Sequence, residues 1–444
     1  MKSDMFRYIA LPVVITVFLA GCSTSSDVEE INYIPCEDGT AEGYPCDNVD
    51  YYAHLTPTEL LAETKDNLRA SLNDIWGWID PETGREYALV GLSDGVTFVD
   101  VTNPANPVVV GKLSEPSDNS AELNPLMARH DDEDGFKEAS SWRDLKVYQN
   151  YVYVVSEQDT YGLQVFDLTR LRDVQDPPQI FSEDYNYTRF GDAHNIAINT
   201  ETGFAYVVGS TIGETCAQRG GLHMINLADN PIRPTFAGCY FEEEAGGITG
   251  GRAGYIHDTQ CVIYQGPDAD HQGQELCFSS SETSFTITNM EDKDQAFTIF
   301  NGSYSGNQYS HQGWLSEDHR YFFMNDELDE LRDNNNTRTY VWNIENLDSP
   351  EMIGFYEHNT VSVDHNLYVK EDLLYQANYT SGLRVLDIQN PEPNNISTLG
   401  FFNTTPGNNQ PGFAGLWSVY PYLSGDKVIV SDINNGLFIL RYSR

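Results

Sequence analysis

Short apolar runs alternate with clusters of glycine, asparagine and aspartate along most of this sequence. Each run is four to seven residues rich in valine, isoleucine, tyrosine and phenylalanine, which is typical of β-strands. Runs recur in pairs joined by a glycine turn, and the second run of a pair ends in a polar residue. The clearest pairs span residues 87–100, 151–167, 204–226, 374–387 and 427–440. The pattern therefore predicts a succession of β-hairpins.

Further strands flank the hairpins, one before each pair and one after it, often following a proline. Two weaker hairpins, at residues 276–290 and 321–344, bring the total to seven units of four strands. Such repetition without linkers is typical of β-propeller blades and argues against a stack of β-sandwiches. The last unit lacks a fourth strand, which residues 49–55 can supply. We therefore predict an all-β, seven-bladed β-propeller over residues 49–444, with its ring closed by an N-terminal strand.

The N-terminus has the features of an export signal. Lys2 and Arg7 precede an apolar run at residues 9–18, and Leu19-Ala20-Gly21-Cys22 follows. This order predicts a signal peptide over residues 1–21. Cys22 resembles the lipidated cysteine of a bacterial lipobox, although a plain signal peptide with an incidental cysteine is the alternative. The resemblance implies lipid attachment at Cys22, a tether over residues 22–48, and a membrane contact through the lipid alone.

The residue after the lipidation site bears on the destination. Ser23 stands where an aspartate would resemble an inner-membrane retention signal, so we expect an outer-membrane lipoprotein. Exposure on the cell surface is favoured, and an orientation toward the periplasm remains the alternative.

The remaining cysteines and the charge agree with an exported protein. Six cysteines besides Cys22 suggest disulfides, and proximity favours Cys36–Cys46, Cys216–Cys239 and Cys261–Cys277. The formal net charge is −42, from 25 basic and 67 acidic residues. Such a surface repels nucleic acid. It either attracts divalent cations or keeps the protein soluble in salty water.

Longer strings resemble a known family. The hairpins that contain Gly-Leu-x-Val-x-Asp are similar to LVIVD repeats. Other strings resemble the choice-of-anchor B family, at residues 141–148, 194–199, 257–268, 311–318, 364–368 and 417–422. The match runs from Asn48 to the C-terminus. It implies an exported, surface-attached propeller and no established activity.

Candidate chemistry follows from aligning the first strands of the seven units. The leading residues are Trp76, Arg143, His194, His257, His311, His365 and Trp417, and the next ones are Gly77, Asp144, Asn195, Asp258, Gln312, Asn366 and Ser418. First strands are innermost, so the leading side chains should meet at one mouth of the channel. Second strands are antiparallel to the first and end at the same face. Those ends carry Glu157, Glu282, Asp326, Glu327 and Asp432.

These columns define the predicted site. The ligand-binding set is Arg143, Asp144, His194, His257, Asp258, His311, His365, Trp417, Glu157 and Glu327. The four histidines are candidate ligands of a divalent or transition metal ion, with Asp258 or Asp364 as acceptor for a second ring nitrogen. A polar ligand without metal and a purely structural role are the alternatives. Because the rings lie along an arc, convergence of all four on one ion is not expected.

No Walker, HExxH or GxGxxG motif occurs, and no catalytic residue is assigned. The expected function is a binding module for a protein, a polysaccharide or an ion at the histidine-rich mouth. A metal-dependent enzyme that uses the four histidines is one alternative. A structural component of the surface layer is the other.

Overall fold

The structure is a computed structural model that describes residues 32–64, 69–116, 140–213, 219–248, 252–408 and 410–443. The predicted signal peptide, Cys22 and Cys216 lie outside these residues. The described residues belong to one compact unit, Asn32–Arg444. Among the described residues, no helix is both long enough and apolar enough to cross a membrane.

The described strands form seven sheets, which are the blades of a β-propeller. The N-terminal segment supplies β1 (Thr40–Ala41), β2 (Tyr44–Asp47) and β3 (Val49–Leu55). Blade one contains β4 (Leu72–Ile79), β5 (Glu86–Leu92), β6 (Gly95–Asp100) and β7 (Val108–Ser114). Blade two contains β8 (Arg143–Tyr148), β9 (Tyr151–Ser156) and β10 (Leu163–Asp167), followed by a 3-10 helix (Leu168–Asp173), β11 (Gln179–Phe181) and β12 (Tyr185–Tyr187). Of these last two strands, β12 completes blade two and β11 pairs in parallel with β7 of blade one.

The next three blades are regular four-stranded sheets. Blade three contains β13 (Asn195–Asn199), β14 (Phe204–Val208), β15 (Leu222–Asn226) and β16 (Thr235–Tyr240). Blade four contains β17 (Asp258–Ile263), β18 (Glu275–Ser280), β19 (Phe285–Asn289) and β20 (Phe297–Gly302). Blade five contains β21 (Ser310–Leu315), β22 (Tyr321–Asp326), α1 (Asp329–Asp333), β23 (Arg338–Asn343) and β24 (Glu351–Glu357).

The last two blades incorporate the N-terminal strands. Blade six contains β25 (Leu367–Lys370), β26 (Leu373–Asn378), β27 (Gly382–Asp387) and β28 (Ser397–Phe402), extended by β2 and β1. Blade seven contains β29 (Leu416–Tyr420), β30 (Lys427–Asp432) and β31 (Gly436–Tyr442), completed by β3. The predicted seven-bladed ring and its closure by residues 49–55 are thus confirmed.

The hydrophobic core is divided among the blade interfaces. In the described part of the chain, seven clusters of buried side chains occur, and each joins one pair of neighbouring blades. Alternating residues of a strand point to opposite faces, so a blade buries apolar side chains against both neighbours. The near-continuous apolar runs of the second strands reflect this burial, since every residue of β5, β18, β26 and β30 is buried.

The blades also share a local irregularity that marks them as repeats. The pairing of third and fourth strands shifts register at one equivalent place in six of the seven blades, as between Phe98 and Val99 or between Val341 and Trp342. Such bulges bend a strand and increase its twist. In these six blades, the fourth strand therefore bends out of the plane of the inner strands at an equivalent position.

The N-terminal segment differs from the expected tether. The backbone of Ile34 pairs with that of Tyr51, and β2 adds to the edge of blade six. Residues 32–48 therefore pack on the ring, because the open edge of β28 offers backbone hydrogen bonds to this segment.

The disulfides agree with the prediction where they are described. Cys36–Cys46 closes the N-terminal loop, and Cys261–Cys277 joins directly opposed residues of β17 and β18. Cys239 is also disulfide-bonded, and its expected partner Cys216 lies outside the described residues.

Candidate functional site

Five consecutive blades each bring one ring to the same end of the central channel. Ring centroids lie 4.2 Å apart for His194–His257 and for His257–His311, and 4.4 Å apart for His311–His365. Trp417 continues this arc 4.6 Å from His365. Together with Trp142 of blade two, these residues line the histidine mouth: His194, His257, His311, His365, Trp417 and Trp142.

Hydrogen bonds from the Nδ1 atoms orient most of these imidazoles. Nδ1 of His257 lies 2.9 Å from the carbonyl oxygen of His311, and Nδ1 of His365 lies 2.6 Å from that of Trp417. Each bond links one blade to the next and leaves Nε2 for other contacts. Nδ1 of His311 is buried without a hydrogen-bond partner among the described residues.

The prediction that Asp258 or Asp364 accepts a hydrogen bond from one of these imidazoles was wrong. Asp258 follows His257 in an extended strand, so the two side chains point to opposite faces. Both carboxylate oxygens of Asp364 are buried without a hydrogen-bond partner in the described part of the chain. Backbone carbonyls of the following blade take the acceptor role instead.

Burial decides the protonation state of three of the histidines. It lowers the pKa of His257 and His311 well below the ordinary value, and that of His365 to about 3. His194 differs, because Nδ1 lies 2.7 Å from Oε1 of Glu157. Burial opposes the charged form there, but this hydrogen bond and the Glu157 charge raise the pKa of His194. Three neutral imidazoles therefore stand beside one that favours a proton.

Glu327 lies between two of the neutral imidazoles. Its Oε2 is 3.7 Å from Nε2 of His311, and its Oε1 is 3.8 Å from Nε2 of His365. The hydroxyl of Tyr379 donates a 2.8 Å hydrogen bond to Oε1. Burial raises the pKa of Glu327 to about 7. Glu327 therefore links blades five and six and titrates near neutral pH.

These three side chains form the candidate metal centre. One ligand atom from each of His311, Glu327 and His365 lies within 4.8 Å of the other two. Two donors that each bind an ion at about 2.1 Å lie at most about 4.2 Å apart. The separations from Oε2 of Glu327 to His311 and from Oε1 of Glu327 to His365, 3.7 and 3.8 Å, satisfy this limit. Two imidazoles and a carboxylate suit divalent transition metals. Among the four predicted histidine ligands, the geometry thus favours His311 and His365.

The space at the histidine mouth restricts what can bind. The cavity there measures about 10 Å³. A single water needs about 10–15 Å³ on this measure. The mouth as the structure describes it therefore has room for an ion or a water between the rings and not for an organic ligand.

Arg143 is at the mouth, but both of its terminal guanidinium nitrogens bond to other parts of the protein. Its guanidinium bonds to the carbonyl oxygens of Leu92 and Ser140 and forms an ion pair with Glu115, at 2.7, 3.0 and 2.6 Å. These contacts tie blade two to blade one. The expectation that Arg143 binds a ligand gains no support from them.

Asp144 and Asp258 were predicted at the mouth, but their side chains project elsewhere. Oδ1 of Asp144 and Oδ2 of Asp74 accept hydrogen bonds from Nζ of Lys146, at 2.5 and 3.2 Å. Asp258 and Lys146 line a separate cavity that begins farther along the first strands. Because side chains alternate in a strand, residues that follow the mouth residues face a different part of the channel.

The alignment of blade one was wrong. Trp76 also lines the separate cavity and is absent from the histidine mouth. Lys146 bonds to both Asp74 and Asp144. In blade one, the residue equivalent to Asp144 is therefore Asp74 and not Gly77. The pairing of β4 with β5 shifts register between Leu72 and Ile75, and this irregularity hides the correct alignment.

Two contributors to the site were missed from the sequence. Tyr379 occupies the position directly after a second strand, which is also the position of Glu157 and Glu327. Extending that column to blade six would have found it. Lys146 was not recognised, because a lysine within an inner strand carries no signal that it pairs across blades.

The fold and the repeats define the class of this protein. Seven sheets around a channel, closed by β3, make it a seven-bladed β-propeller. Blades one and two contain LVIVD repeats, since the LVIVD repeat model matches residues 85–114 and 140–167. No curated protein matches the sequence significantly.

Solved structures with a similar fold are distant in sequence. A protein from Lactobacillus plantarum has 13% identity and a TM-score of 0.48, with 82% of this chain and 89% of that one covered. A functionally unknown protein from Desulfotomaculum acetoxidans has 11% identity and a TM-score of 0.49, covering 77% and 87%. The β-propeller domain of Cps50 (Swd1) from Myceliophteria thermophila has 9% identity and a TM-score of 0.47, covering 81% and 94%. No function is transferred from them.

Proposed function

We propose that this protein is a lipid-anchored binding propeller, of the choice-of-anchor B type, that holds a divalent transition metal ion at its histidine mouth. The observation that carries the proposal is the placement of Glu327 between His311 and His365, with Nε2–carboxylate distances of 3.7 and 3.8 Å. An LVIVD-repeat propeller is compatible with a binding module.

Protonation and charge support this choice of ligand. Neutral imidazoles have a free lone pair for a metal, and burial keeps His311 and His365 neutral by lowering the pKa of each. A cation would also stabilise the ionised form of Glu327, whose charge is otherwise costly in this buried place. The net charge of −42 raises the local concentration of cations around the protein.

The small volume of the histidine mouth distinguishes metal binding from metal-dependent catalysis. About 10 Å³ accommodates an ion, whereas an enzyme of this site would also need room for a substrate beside the metal. The geometry therefore supports metal binding and adds no support for a metal-dependent enzyme.

Metal analysis tests the proposal directly. The full mature chain is purified without chelator or affinity tag, and its metal content and Zn²⁺ affinity are measured beside His311→Ala, His365→Ala and Glu327→Gln variants. His271→Ala is the matched control, because His271 lies in a surface loop and contacts Gln274. We expect one ion per chain, at least tenfold weaker binding in the three variants, and no change in the control.

Two results would count against the metal site. One is a wild-type protein that binds no Zn²⁺, Mn²⁺ or Fe²⁺ at millimolar concentration. The other is unchanged affinity in folded His311→Ala and Glu327→Gln proteins.

The location is a separate part of the proposal. Disulfides such as Cys36–Cys46 are typical of oxidising compartments, and Cys22 follows the features of a lipoprotein signal. We propose attachment to the outer membrane through Cys22, facing outward. Cell fractionation should find the wild-type protein in membranes and Cys22→Ala in a soluble fraction. External protease should digest the protein on intact cells, and resistance there would place it on the periplasmic side.

A further inference from the structure

The larger cavity of the channel lies at some distance from the histidine mouth. Gln260 and Tyr368 line it, and each comes three residues after a mouth residue, His257 or His365. Three residues of extended strand span about 10 Å. Its volume is about 240 Å³, against about 10 Å³ at the mouth. The channel therefore has a separate cavity somewhat smaller than the roughly 300–1,000 Å³ of drug-sized ligand pockets, which restricts it to a smaller ligand.

Aromatic side chains form much of the wall, and the name aromatic cavity refers to the space lined by Trp76, Trp314, Tyr368, Tyr422, Lys146 and Asp258. Tyr368 packs edge-on against both tryptophans, with centroids 4.9 Å from Trp314 and 5.8 Å from Trp76. The hydroxyl of Tyr422 donates to the carbonyl oxygen of Val369 at 2.7 Å. Packing and hydrogen bonds thus hold these rings in place before any ligand arrives.

Lys146, one of the polar residues that line the cavity, is already paired with carboxyl groups of the protein. Nζ of Lys146 bonds to Asp144 and Asp74 and lies 4.6 Å above the ring of Trp76. Burial opposes its charge, but Asp144 and Asp74 raise the pKa of Lys146, so it remains a cation. The ammonium group therefore occupies one indole face and is held by two carboxyl groups.

Asp258 is the polar group available to a ligand. It is partly buried and lines the cavity, and its Oδ1 accepts a 2.6 Å hydrogen bond from the backbone N–H of Thr259. The Asp258 carboxyl group can thus form hydrogen bonds with hydroxyl groups of a ligand in the cavity.

Charge excludes two classes of ligand. Lys146 would repel a cation and already covers the face of Trp76 that would attract one. Asp258 and Glu201, which line the cavity, and Asp144, which is bonded to Lys146, would repel an anion. A wholly apolar ligand would remove water from these charged groups without replacing their hydrogen bonds. The remaining class is a neutral molecule with one apolar face and several hydroxyl groups.

We propose that the aromatic cavity binds one neutral sugar residue, with an apolar ring face against Trp314 and hydroxyl groups toward Asp258. The site is distinct from the histidine mouth, and no part of its chemistry uses a metal. A chain end or a free monosaccharide would satisfy the same contacts.

Fluorescence and calorimetric titrations of the full mature chain test this proposal. The probes are glucose, galactose, mannose, xylose, N-acetylglucosamine and their β-linked disaccharides, with glucosamine and glucuronate as charged counterparts. Variants are Trp314→Ala, Trp314→Phe and Asp258→Asn, which keeps the size of the side chain. Trp142→Ala is the matched control, because Trp142 is a partly exposed tryptophan at the histidine mouth.

We expect saturable quenching by at least one neutral sugar, with at least tenfold weaker binding in Trp314→Ala and Asp258→Asn. Trp314→Phe should lie between these values and wild type, and Trp142→Ala should bind as wild type. The proposal is overturned if no neutral probe binds, or if a charged counterpart binds more tightly than its neutral parent. Unchanged affinity in a folded Asp258→Asn protein, or equal loss in Trp142→Ala, would also overturn it.

Discussion

Breaking the ion pair between Lys427 and Glu86 should show how strongly the stability of the ring depends on the contact between its last and first blades. Lys427 lies on β30 of blade seven and Glu86 on β5 of blade one, and their side chains form a direct ion pair. Nζ of Lys427 also donates to the carbonyl oxygen of Val101 at 2.9 Å, and Glu86 accepts from the backbone N–H of Ser424 at 2.9 Å. The pair thus joins the last blade to the first.

The expected magnitude follows from burial. Lys427 is 8% exposed and Glu86 is 4% exposed, so removing one partner leaves a charge in a poorly solvated place. Such single changes cost about 3–5 kcal/mol, whereas replacing both partners by apolar residues is close to neutral. If unfolding is cooperative, an entropy of about 0.8 kcal/mol/K for the ring converts this loss to roughly 4–6 °C in Tm.

Urea unfolding of Glu86→Leu, Lys427→Met and the double variant, which places apolar residues at both positions, measures these differences. The control is Arg320→Met, because the Arg320–Glu345 pair is nearly half exposed and such pairs contribute less than about 1 kcal/mol. The reasoning is refuted if each single variant loses less than about 1 kcal/mol. A double variant as unstable as the sum of the singles would refute it equally.

Three further predictions concern the blades and the channel. Replacing Cys261 and Cys277 by alanine should cost about 3 kcal/mol, measured by urea unfolding, since the bond closes a loop of 16 residues; equal stability of oxidised and reduced wild type would contradict this. Because burial raises the pKa of Asp258 to about 7, the folded state binds more protons than the unfolded chain between pH 4 and 7. As the pH rises through that window, the free energy of unfolding of wild type should therefore decrease relative to that of Asp258→Asn. The same difference between the two proteins at pH 5 and at pH 8 would contradict this. Gly382→Ala should lower Tm more than Gly407→Ala, because both have positive φ but only Gly382 faces a backbone carbonyl, 2.2 Å from an added Cβ.

Much of the fold was predictable because each blade repeats a local pattern. Apolar runs bounded by glycine turns specify hairpins without any knowledge of distant contacts. Counting those hairpins, and noting that the last unit lacked a strand, was enough to assign residues 49–55 to the seam. The column of four histidines was predictable for the same reason, since equivalent strands place equivalent residues at one end of the channel.

The aromatic cavity and the blade-one alignment were not predictable, because they depend on pairing rather than composition. Trp76 was assigned to the wrong end of the channel, since the register shift in β4 has no marker in the sequence. Asp258 follows His257 directly, and only the pleat of the strand sends the two side chains to different places. The packing of residues 32–48 on blade six depends on an open sheet edge that the sequence alone does not reveal.

The candidate metal centre follows from how the repeats differ from one another. Blades three to six supply a histidine at the mouth, but the residue after the second strand varies, with Glu157 in blade two, Glu327 in blade five and Tyr379 in blade six. Glu157 has one histidine beside it and forms a hydrogen bond that favours a charged imidazole. Glu327 has two neutral imidazoles, together with the hydroxyl of Tyr379. A symmetric ring of strands can therefore produce an off-axis ion site, because among the described residues two histidines and a carboxylate come together at the junction of blades five and six.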